Sequence, residues 1–244
     1  LITDREGLRI HITEADNGLD IALSGGLVEG FETQDRLARL TATVGWARLT
    51  HNGSPIAAPS EPVIALGGVP VALPQRAFLQ PSEDGQAILQ SLVLAAIPDD
   101  AKRVMDLYSG HGTFALPLAQ RGHTVEAYEG NEAAIAALKS AAKAGAGLER
   151  HAAVRDLATW PLTGAALKKT HAVVIDPPRA GAKAQTEALA QDGPATVVAV
   201  SCNPSTFARD ARILREGGYS LDWIAPLDQF LFTGHVELVA RFYR

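Results

Sequence analysis

The stretch VMDLYSGHGTF (Val104–Phe114) joins a short apolar strand to a glycine-rich turn and the beginning of a helix. Gly110 and Gly112 allow the backbone of this turn to bend tightly and to approach a ligand closely. Glu129 follows the next predicted strand, Thr124–Tyr128, and an acid at that place can accept hydrogen bonds from both hydroxyls of a ribose. The stretch therefore predicts the first nucleotide-binding turn of an α/β sheet.

The cofactor that this turn predicts is S-adenosylmethionine rather than a dinucleotide. Ala115 stands where the dinucleotide pattern Gly-x-Gly-x-x-Gly has its third glycine. Asp106, just before the turn, would repel a pyrophosphate but suits a cofactor that carries a positive charge. Asp156 follows a third predicted strand, at about residues 147–154, where it either meets the adenine or acts as a helix N-cap or surface acid.

The order of the predicted elements extends this turn into a doubly wound sheet. From about residue 77, strand-like and helix-like segments alternate, and the apolar runs Ala172–Ile175 and Ala195–Val200 suit buried parallel strands. Ser82 and Asn131 are the predicted N-caps of two helices, and Glu237–Tyr243 is a predicted terminal strand. Residues 76–244 are therefore predicted to form an α/β, Rossmann-like domain with its ligands at the carboxyl ends of the strands.

A different pattern occupies residues 1–75, which we predict to be a small β-rich region. Its predicted strands are separated by Gly, Asn and Pro, and Asp16-Asn17-Gly18 is a hairpin signal. These strands are Leu8–Thr13, Leu19–Leu23, Val44–Thr50 and Val63–Leu73. Because the chain begins at Leu1 and not at Met, we expect further sequence upstream.

The composition restricts the classes of function. A single cysteine excludes an internal disulfide, a cysteine-rich zinc site and an iron–sulfur cluster within this sequence, so we expect no metal and a reducing, cytoplasmic location. No stretch approaches the ~20 apolar residues of a membrane span, and the start has no signal-peptide pattern. The net charge of -5 argues against tight binding of nucleic acid by this segment alone. We expect a monomer.

The one cysteine, Cys202, is the predicted nucleophile. It lies in the sequence SCNP at the end of an apolar run, where Asn203 is a good N-cap and Pro204 fits the first position of a helix. A thiol beside a helix N-terminus gains thiolate character from the partial positive charge there. In another context a lone cysteine is usually a small buried apolar side chain.

Two further motifs accompany the cysteine. DPPR (Asp176–Arg179) closes the preceding apolar run and is similar to the Asp-Pro-Pro-aromatic signature of amino methyltransferases, with Arg in place of the aromatic residue. Arg179 offers a planar cation for a base edge, a carboxylate or a phosphate. HVE (His235–Glu237) comes just before the terminal strand, and Glu237 is a candidate general base.

Together these motifs resemble those of the RNA uracil-C5 methyltransferases, which make 5-methyluridine in transfer and ribosomal RNA. The resemblance covers the chain from about Phe78 to the C-terminus, in order and in spacing. Its motifs are FLQ (Phe78–Gln80), DLYSGHG (Asp106–Gly112), EG (Glu129–Gly130), DPPRAG (Asp176–Gly181), SCNPSTFARD (Ser201–Asp210) and DQFLFTGHVE (Asp228–Glu237). The cysteine motif and the terminal HVE are the most specific of them.

The resemblance implies a class I methyltransferase domain that uses S-adenosylmethionine and an RNA substrate. It implies that Cys202 adds to C6 of a uridine in transfer or ribosomal RNA, that C5 then takes the methyl group, and that Glu237 removes the C5 proton. Arg179 would face the substrate. The residues implied to line the cofactor site are Gln80, Tyr108, Gly110, Thr113, Glu129, Asp156 and Asp176.

Two other functions stay open on the residues alone. An N-methyltransferase acting on RNA or DNA would use DPPR and would not need Cys202. A non-catalytic module that binds S-adenosylmethionine or RNA would fit the acidic balance of the chain. Only the uracil-C5 reaction predicts a covalent adduct with RNA that contains 5-fluorouridine, because a fluorine at C5 cannot leave as a proton does.

Overall fold

The computed structural model describes residues 7–26, 30–143, 151–230 and 232–244, and the chain divides into two compact units. The N-terminal unit takes in the described residues up to Ala65 together with Pro70–Phe78. The α/β unit consists of Leu66–Val69 and the described residues of Leu79–Arg244. All of the predicted site residues belong to the α/β unit.

The N-terminal part of the chain combines a four-stranded sheet with one helix and a two-stranded hairpin. Its elements in chain order are β1 (Leu8–Ala15), β2 (Gly18–Gly25), α1 (Phe31–Val44), β3 (Arg48–His51), β4 (Ser54–Ala57), β5 (Val63–Leu66) and β6 (Val69–Ala72). The sheet has the order β1-β2-β3-β4, in which β2 and β3 are parallel because α1 crosses between them. The hairpin of β5 and β6 forms the two-stranded sheet.

Helix α1 is a feature that the sequence did not predict. Its buried positions are Thr33, Leu37 and Thr41, which follow helical spacing, but two of the three are polar. The apolar period that normally indicates an amphipathic helix is therefore hidden. The strand predicted over Val44–Thr50 is wrong in its first half, since α1 extends to Val44 and β3 begins at Arg48.

The α/β unit contains a seven-stranded sheet. Its elements in chain order are α2 (Glu83–Ala96), β7 (Arg103–Leu107), α3 (Ala115–Gln120), β8 (Thr124–Glu129), α4 (Glu132–Ala142), β9 (Ala152–Val154), α5 (Ala165–Lys168), β10 (Ala172–Ile175), α6 (Lys183–Asp192), β11 (Thr196–Ser201), α7 (Pro204–Glu216), β12 (Ser220–Leu227) and β13 (Glu237–Tyr243). Residues 144–150 lie outside the described residues, and with them the first part of the strand predicted at about 147–154.

The strand order β12-β13-β11-β10-β7-β8-β9 confirms the predicted doubly wound α/β class. From β7 the chain moves outward to β8 and β9, and then returns to β10 on the other side of β7. The carboxyl ends of β7 and β10 thus flank the switch point, where such sheets bind their ligands. One strand departs from the parallel pattern, because β13 is antiparallel to both β11 and β12.

Local capping fixes the first residues of three helices, as predicted. The side chains of Ser82, Asn131 and Asn203 accept hydrogen bonds from backbone N–H groups in the first turns of α2, α4 and α7, each at 3.1 Å. Each such cap contributes about 1 kcal/mol to stability. Strand β10 is buried along its whole length and pairs with β7 and β11, so the middle of the sheet is a rigid support for the loops at its edge.

Candidate active site

The antiparallel direction of β13 brings Glu237 to the edge of the sheet where Cys202 lies. Ser201, the last residue of β11, pairs with Leu238, the second residue of β13. Cys202 follows Ser201 and Glu237 precedes Leu238, so the thiol and the carboxylate come from neighbouring backbone positions at one level. Asp176 follows the adjacent β10, and its N–H donates to the carbonyl of Leu107 at 3.2 Å.

The Cys202 thiol is partly buried at the beginning of α7. Burial raises its pKa, and the negative charges of Glu237 and Asp176 add to this effect. The Arg179 cation and a backbone hydrogen bond act in the opposite direction but do not outweigh it. Burial above all, and then the two carboxylates, thus oppose the thiolate-favouring effect expected of the helix N-terminus.

Glu237 is a nearly buried carboxyl group, with 4% of its surface exposed. Burial raises its pKa to about 7, and a hydrogen bond from Gln229 opposes that shift. The Nε2 group of Gln229 lies 3.5 Å from Oε2 of Glu237 and donates to Oε1 of Gln80 at 2.9 Å. A carboxyl group that titrates near neutral pH is suited to accept a proton and to release it again.

The DPPR loop is fixed to the first turns of α7. The side chains of Asn203 and Thr206 both donate to the backbone carbonyl of Arg179, at 3.0 and 3.2 Å. Further along the helix, Asp210 accepts from the backbone N–H of Ala182 at 2.8 Å. The motif SCNPSTFARD therefore does more than supply a cysteine, since its polar side chains hold the loop that carries Arg179.

Gly181 permits this close contact between the loop and α7. Its φ is +75°, and a Cβ at this position would collide with Thr206 and with the polar ends of Arg209 and Asp210. The guanidinium of Arg209 also donates to the carbonyl of Ala180 at 3.1 Å. A glycine is thus required here for two reasons, its left-handed backbone and the absence of a side chain.

Arg179 and His235 connect the two motif loops on the exposed side of the site. Nη2 of Arg179 lies 3.0 Å from Nδ1 of His235, and a guanidinium can only donate. Nδ1 of His235 is therefore the acceptor in this contact. Both side chains are exposed, which leaves the remaining donors of Arg179 available to a ligand.

The glycine-rich turn after β7 is bound to the acid after β8. Glu129 accepts hydrogen bonds from the backbone N–H groups of Gly110, at 3.1 Å, and of Asn131, at 2.8 Å. An ionised carboxylate has about four lone-pair sites, so two are left for the hydroxyls of a ribose. Gly112 lets the turn pack on the helices, because a Cβ there would lie 2.7 Å from Leu138.

Several buried polar atoms around this turn have no partner within the described chain. They are both carboxylate oxygens of Asp106, the hydroxyls of Tyr108 and Ser109, and Nε2 of His111. Burial without a hydrogen bond is costly, and such atoms usually mark the place of a ligand or of water. The β7–α3 turn therefore has the unsatisfied donors and acceptors of a binding site.

The charges of this binding site favour a cationic ligand. Burial raises the pKa of Asp106 well above its ordinary value, and the charges of Asp176 and Glu129 raise it further. Burial also raises the pKa of Asp176 to about 8, with contributions from Glu237 and Glu129. His111 is neutral, because burial lowers its pKa to about 4. No cationic side chain of the described residues contributes to the pKa shifts of Asp106 and Asp176, so a positively charged ligand would relieve the repulsion among these acids.

The other predicted cofactor residues are less closely grouped. Tyr108 has a φ of +63°, and burial raises its pKa to about 12. The side chain of Gln80 is partly buried at its contact with Gln229. Thr113 accepts a hydrogen bond from Gln90 through its backbone carbonyl. Asp156 is exposed after β9, and its carboxylate accepts from Ala158 and Thr159, as in the interpretation of a capping acid.

Sequence reasoning missed two residues of this region. Gln229 stands at an unassigned position of the motif DQFLFTGHVE, and only the fold brings it to Gln80. His111 lies between the two glycines of the turn and received no role from the sequence, but it is buried. In the part of the chain that the structure describes, no group of three or more His, Cys, Asp or Glu side chains could hold a metal ion, and no helix is both long and apolar enough to cross a membrane.

Comparison with known proteins agrees with this geometry. The fold is that of the class I methyltransferases. One solved structure with this fold is the tRNA (uracil-54, C5)-methyltransferase of Pyrococcus abyssi in complex with S-adenosyl-L-homocysteine. It is 26% identical and has a TM-score of 0.78, and the match covers 96% of this chain and 58% of that chain. The family model of the tRNA (uracil-5-)-methyltransferases matches residues 71–241. The chain belongs to this family.

Curated relatives include an uncharacterized RNA methyltransferase of Brucella melitensis, 42% identical over 95% of this chain and 56% of that protein. A more distant relative is the 23S rRNA (uracil(1939)-C(5))-methyltransferase RlmD of Pectobacterium atrosepticum, 35% identical over 75% of this chain and 41% of that protein. The chain spans little more than half the length of several curated relatives that it matches, the Brucella melitensis protein among them.

Proposed function

We propose that this chain catalyses the S-adenosylmethionine-dependent methylation of C5 of a uridine in RNA. The observation that supports the proposal most directly is the position of Cys202 and Glu237 at one level of neighbouring antiparallel strands. A nucleophile and a base are both needed in this reaction, and they must reach opposite ends of one C5–C6 bond. Membership of the uracil-5-methyltransferase family points to the same chemistry.

The cofactor part of the proposal rests on the orphaned polar atoms of the β7–α3 turn. Asp106, Asp176 and Glu129 fit S-adenosylmethionine, because its ribose needs two acceptors and its sulfonium and ammonium groups are cationic. A pyrophosphate would add negative charge to a site where the acids already raise one another's pKa. Bound S-adenosylmethionine supplies an electrophilic methyl group. The chain supplies acceptors for its hydroxyls and charges that favour its positive centre.

The roles of the two catalytic residues follow from the reactivity of uracil. C5 is a poor nucleophile, so the Cys202 thiol gives its proton to solvent and the thiolate sulfur forms a bond to C6, which gives C5 enolate character. C5 can then take a methyl group, with S-adenosylhomocysteine as the leaving group. Glu237 accepts the proton that remains on C5, and the electrons of that C–H bond restore the C5–C6 double bond as the bond from C6 to sulfur breaks. The free thiolate is then regenerated.

The RNA part of the proposal is supported by the exposed side of the site. Arg179 lies beside Cys202 in the fold and has donors that are not used by His235. A planar guanidinium can bind a base oxygen or a phosphate, and a donor at a base oxygen would stabilise the enolate. The target uridine must leave its stack, because C5 and C6 of a stacked base are not accessible to a thiol.

A covalent trap tests the proposal. Full-length protein is mixed with S-adenosylmethionine and RNA that contains 5-fluorouridine, and the products are separated on a denaturing gel. We expect a protein–RNA adduct with the natural sequence and none with Cys202→Ala. An N-methyltransferase or a non-catalytic module would give no adduct in either case. Methyl transfer to RNA by Cys202→Ala would also overturn the proposal, since covalent addition would then be dispensable.

A further inference from the structure

We propose that Gln229 is a positioning residue, which holds the carboxylate of Glu237 in the orientation needed for proton removal and connects it to Gln80. This inference rests on the proposed function. Gln229 lies in the loop between β12 and β13, next to the residues that carry the predicted base. It belongs to the motif DQFLFTGHVE, but no role follows for it from the motif.

Within the described residues, the side-chain hydrogen bonds of Gln229 are all made by its donor end. Nε2 has two hydrogens, and it faces Oε1 of Gln80 at 2.9 Å and Oε2 of Glu237 at 3.5 Å. These acceptors come from the chain before α2 and from the start of β13, so one amide joins two segments that are far apart in sequence. A donor on one oxygen of Glu237 restricts the rotation of the carboxyl group and leaves the other oxygen for a substrate proton.

The opposite end of the amide is confined rather than hydrogen-bonded. Oε1 of Gln229 is buried and has no partner in the described chain. It packs against Gly85, in the first turn of α2, and a Cβ on Gly85 would collide with it. An orphaned oxygen costs free energy, so packing alone would be served better by an apolar side chain. The donor end is therefore the reason for an amide at this position.

The surroundings of Glu237 explain why such a donor matters. Burial raises the pKa of Glu237, whereas the hydrogen bond from Gln229 lowers it. In the part of the chain that the structure describes, the titratable groups coupled to Glu237 are Asp176, after β10, and Cys202, after β11, and neither supplies a positive charge. His235 is directed to Arg179. Gln229 is thus the group that favours the ionised form, which is the form that can accept a proton.

If the amide donor of Gln229 is removed, we expect the pH dependence of the rate of proton removal to shift. Glu237 acts as a base, so the rate of proton removal rises with pH through its pKa. Loss of the donor raises that pKa, and the acid limb of the profile should move to higher pH by roughly half a unit to one unit. Methylated RNA should also stay longer on Cys202, because the step that releases it is the one that slows.

The experiment follows single turnovers of the full-length protein on total RNA from a strain that lacks its gene. Gln229→Met keeps the length of the side chain and removes the donor. Gly85→Ala pushes the same amide aside without changing Gln229 or Glu237. Gln86→Ala, a truncation of the same residue type in the same helical turn, is the matched control. We expect the first two variants to shift the acid limb in the same direction and the control to keep the profile of the natural sequence.

The outcomes separate this inference from the proposed function. If the natural sequence neither methylates RNA nor forms an adduct, the proposed function fails. If it does both and the Gln229→Met profile coincides with it, only the role of Gln229 is refuted. Gln229→Glu gives an independent check, because a second acid beside Glu237 should shift the limb further than the neutral Met does. An equal loss of rate at every pH would indicate a merely structural role and would also refute the inference.

Discussion

The backbone N–H of Gly110 donates to Oε2 of Glu129 at 3.1 Å, so the first two strand-to-helix turns of the α/β sheet hold each other. The second carboxylate oxygen is held by the N–H of Asn131 at the start of α4. This arrangement fixes the carboxylate before any ligand arrives. The lone pairs that remain have a defined direction, which lowers the cost of binding a rigid diol.

The first prediction concerns cofactor affinity. Glu129→Ala should weaken the binding of S-adenosylmethionine at least tenfold, because it removes acceptors for two charge-assisted hydrogen bonds worth about 1.5–3 kcal/mol each. Titration calorimetry measures the change. Glu132→Ala, which removes an exposed acid only three residues away, is the control and should bind normally. Unchanged affinity of a folded Glu129→Ala protein would remove Glu129 from the cofactor site.

The second prediction concerns protons that leave when the cofactor binds. Burial and the charges of Glu237 and Glu129 raise the pKa of Asp176 to about 8, so this group carries a proton at neutral pH. A nearby sulfonium cation lowers the pKa of a carboxyl group, and binding of S-adenosylmethionine near pH 7 should therefore release a proton. S-adenosylhomocysteine lacks that charge, so its binding should release fewer protons.

Calorimetry in two buffers of different ionisation enthalpy counts these protons. The number released with S-adenosylmethionine should fall in Asp176→Asn, which cannot titrate. Equal proton release with both ligands would show that the sulfonium does not lie near the acids. The same variant tests the assignment of Asp176 independently of any RNA, because the measurement needs only protein and ligand.

The third prediction concerns the stability of the N-terminal unit. Arg48 and Asp20 form an ion pair at 2.6 Å between paired residues of β2 and β3, with side-chain exposures of 12% and 4%. Asp20→Ala leaves a buried arginine without its partner and should cost about 3–5 kcal/mol in urea unfolding. Asp35→Ala, which breaks the exposed pair with Arg39, should cost only about 0.3–0.5 kcal/mol. Similar losses in the two variants would contradict the argument.

The fourth prediction separates the RNA side of the site from the cofactor side. Asp210→Ala removes the acceptor of the Ala182 N–H and loosens the loop that carries Arg179. RNA methylation should slow by about tenfold, while the affinity for S-adenosylmethionine should change much less. Glu216→Ala removes an exposed acid from the same helix and is the matched control. Methylation at the normal rate by Asp210→Ala would show that the loop is held by its other contacts.

Much of the fold is predictable from the sequence where each signal is local. Ser82, Asn131 and Asn203 cap helices through contacts that span two or three residues, and the apolar run Ala172–Ile175 is buried on all sides. Strand β12 was not predicted. It runs along the edge of the sheet with most of its side chains exposed or half-buried, so it lacks the apolar pattern of an inner strand.

The sequence indicates which residues are candidates for the site, but it does not indicate their electrostatics. The SCNP motif indicates a helix N-terminus beside Cys202, and that part is local. The rise in the thiol pKa comes from burial and from the charges of Glu237 and Asp176, which only the sheet order brings to the thiol. Gln229 was missed for the same reason, since its contact with Gln80 joins residues 149 positions apart.

The last prediction assigns different steps to Cys202 and Glu237. Glu237→Gln keeps the size of the side chain but removes the carboxylate that we propose as the acceptor of the C5 proton. Addition of the thiol to C6 and methyl transfer can still occur, whereas the elimination that releases the RNA should stall. Methylated RNA should therefore stay attached to Cys202 and survive denaturing electrophoresis, even when the RNA contains ordinary uridine.

The contrast with Cys202→Ala makes this result decisive, because that variant should form neither product nor adduct. Mass spectrometry of the trapped complex should find the mass of the RNA fragment plus one methyl group on the peptide that contains Cys202. Because the pKa of Glu237 is about 7, the natural protein should also accumulate some of this adduct below neutral pH, where the base is protonated. Rapid turnover by Glu237→Gln would mean that another group, such as His235 or a bound water, removes the proton.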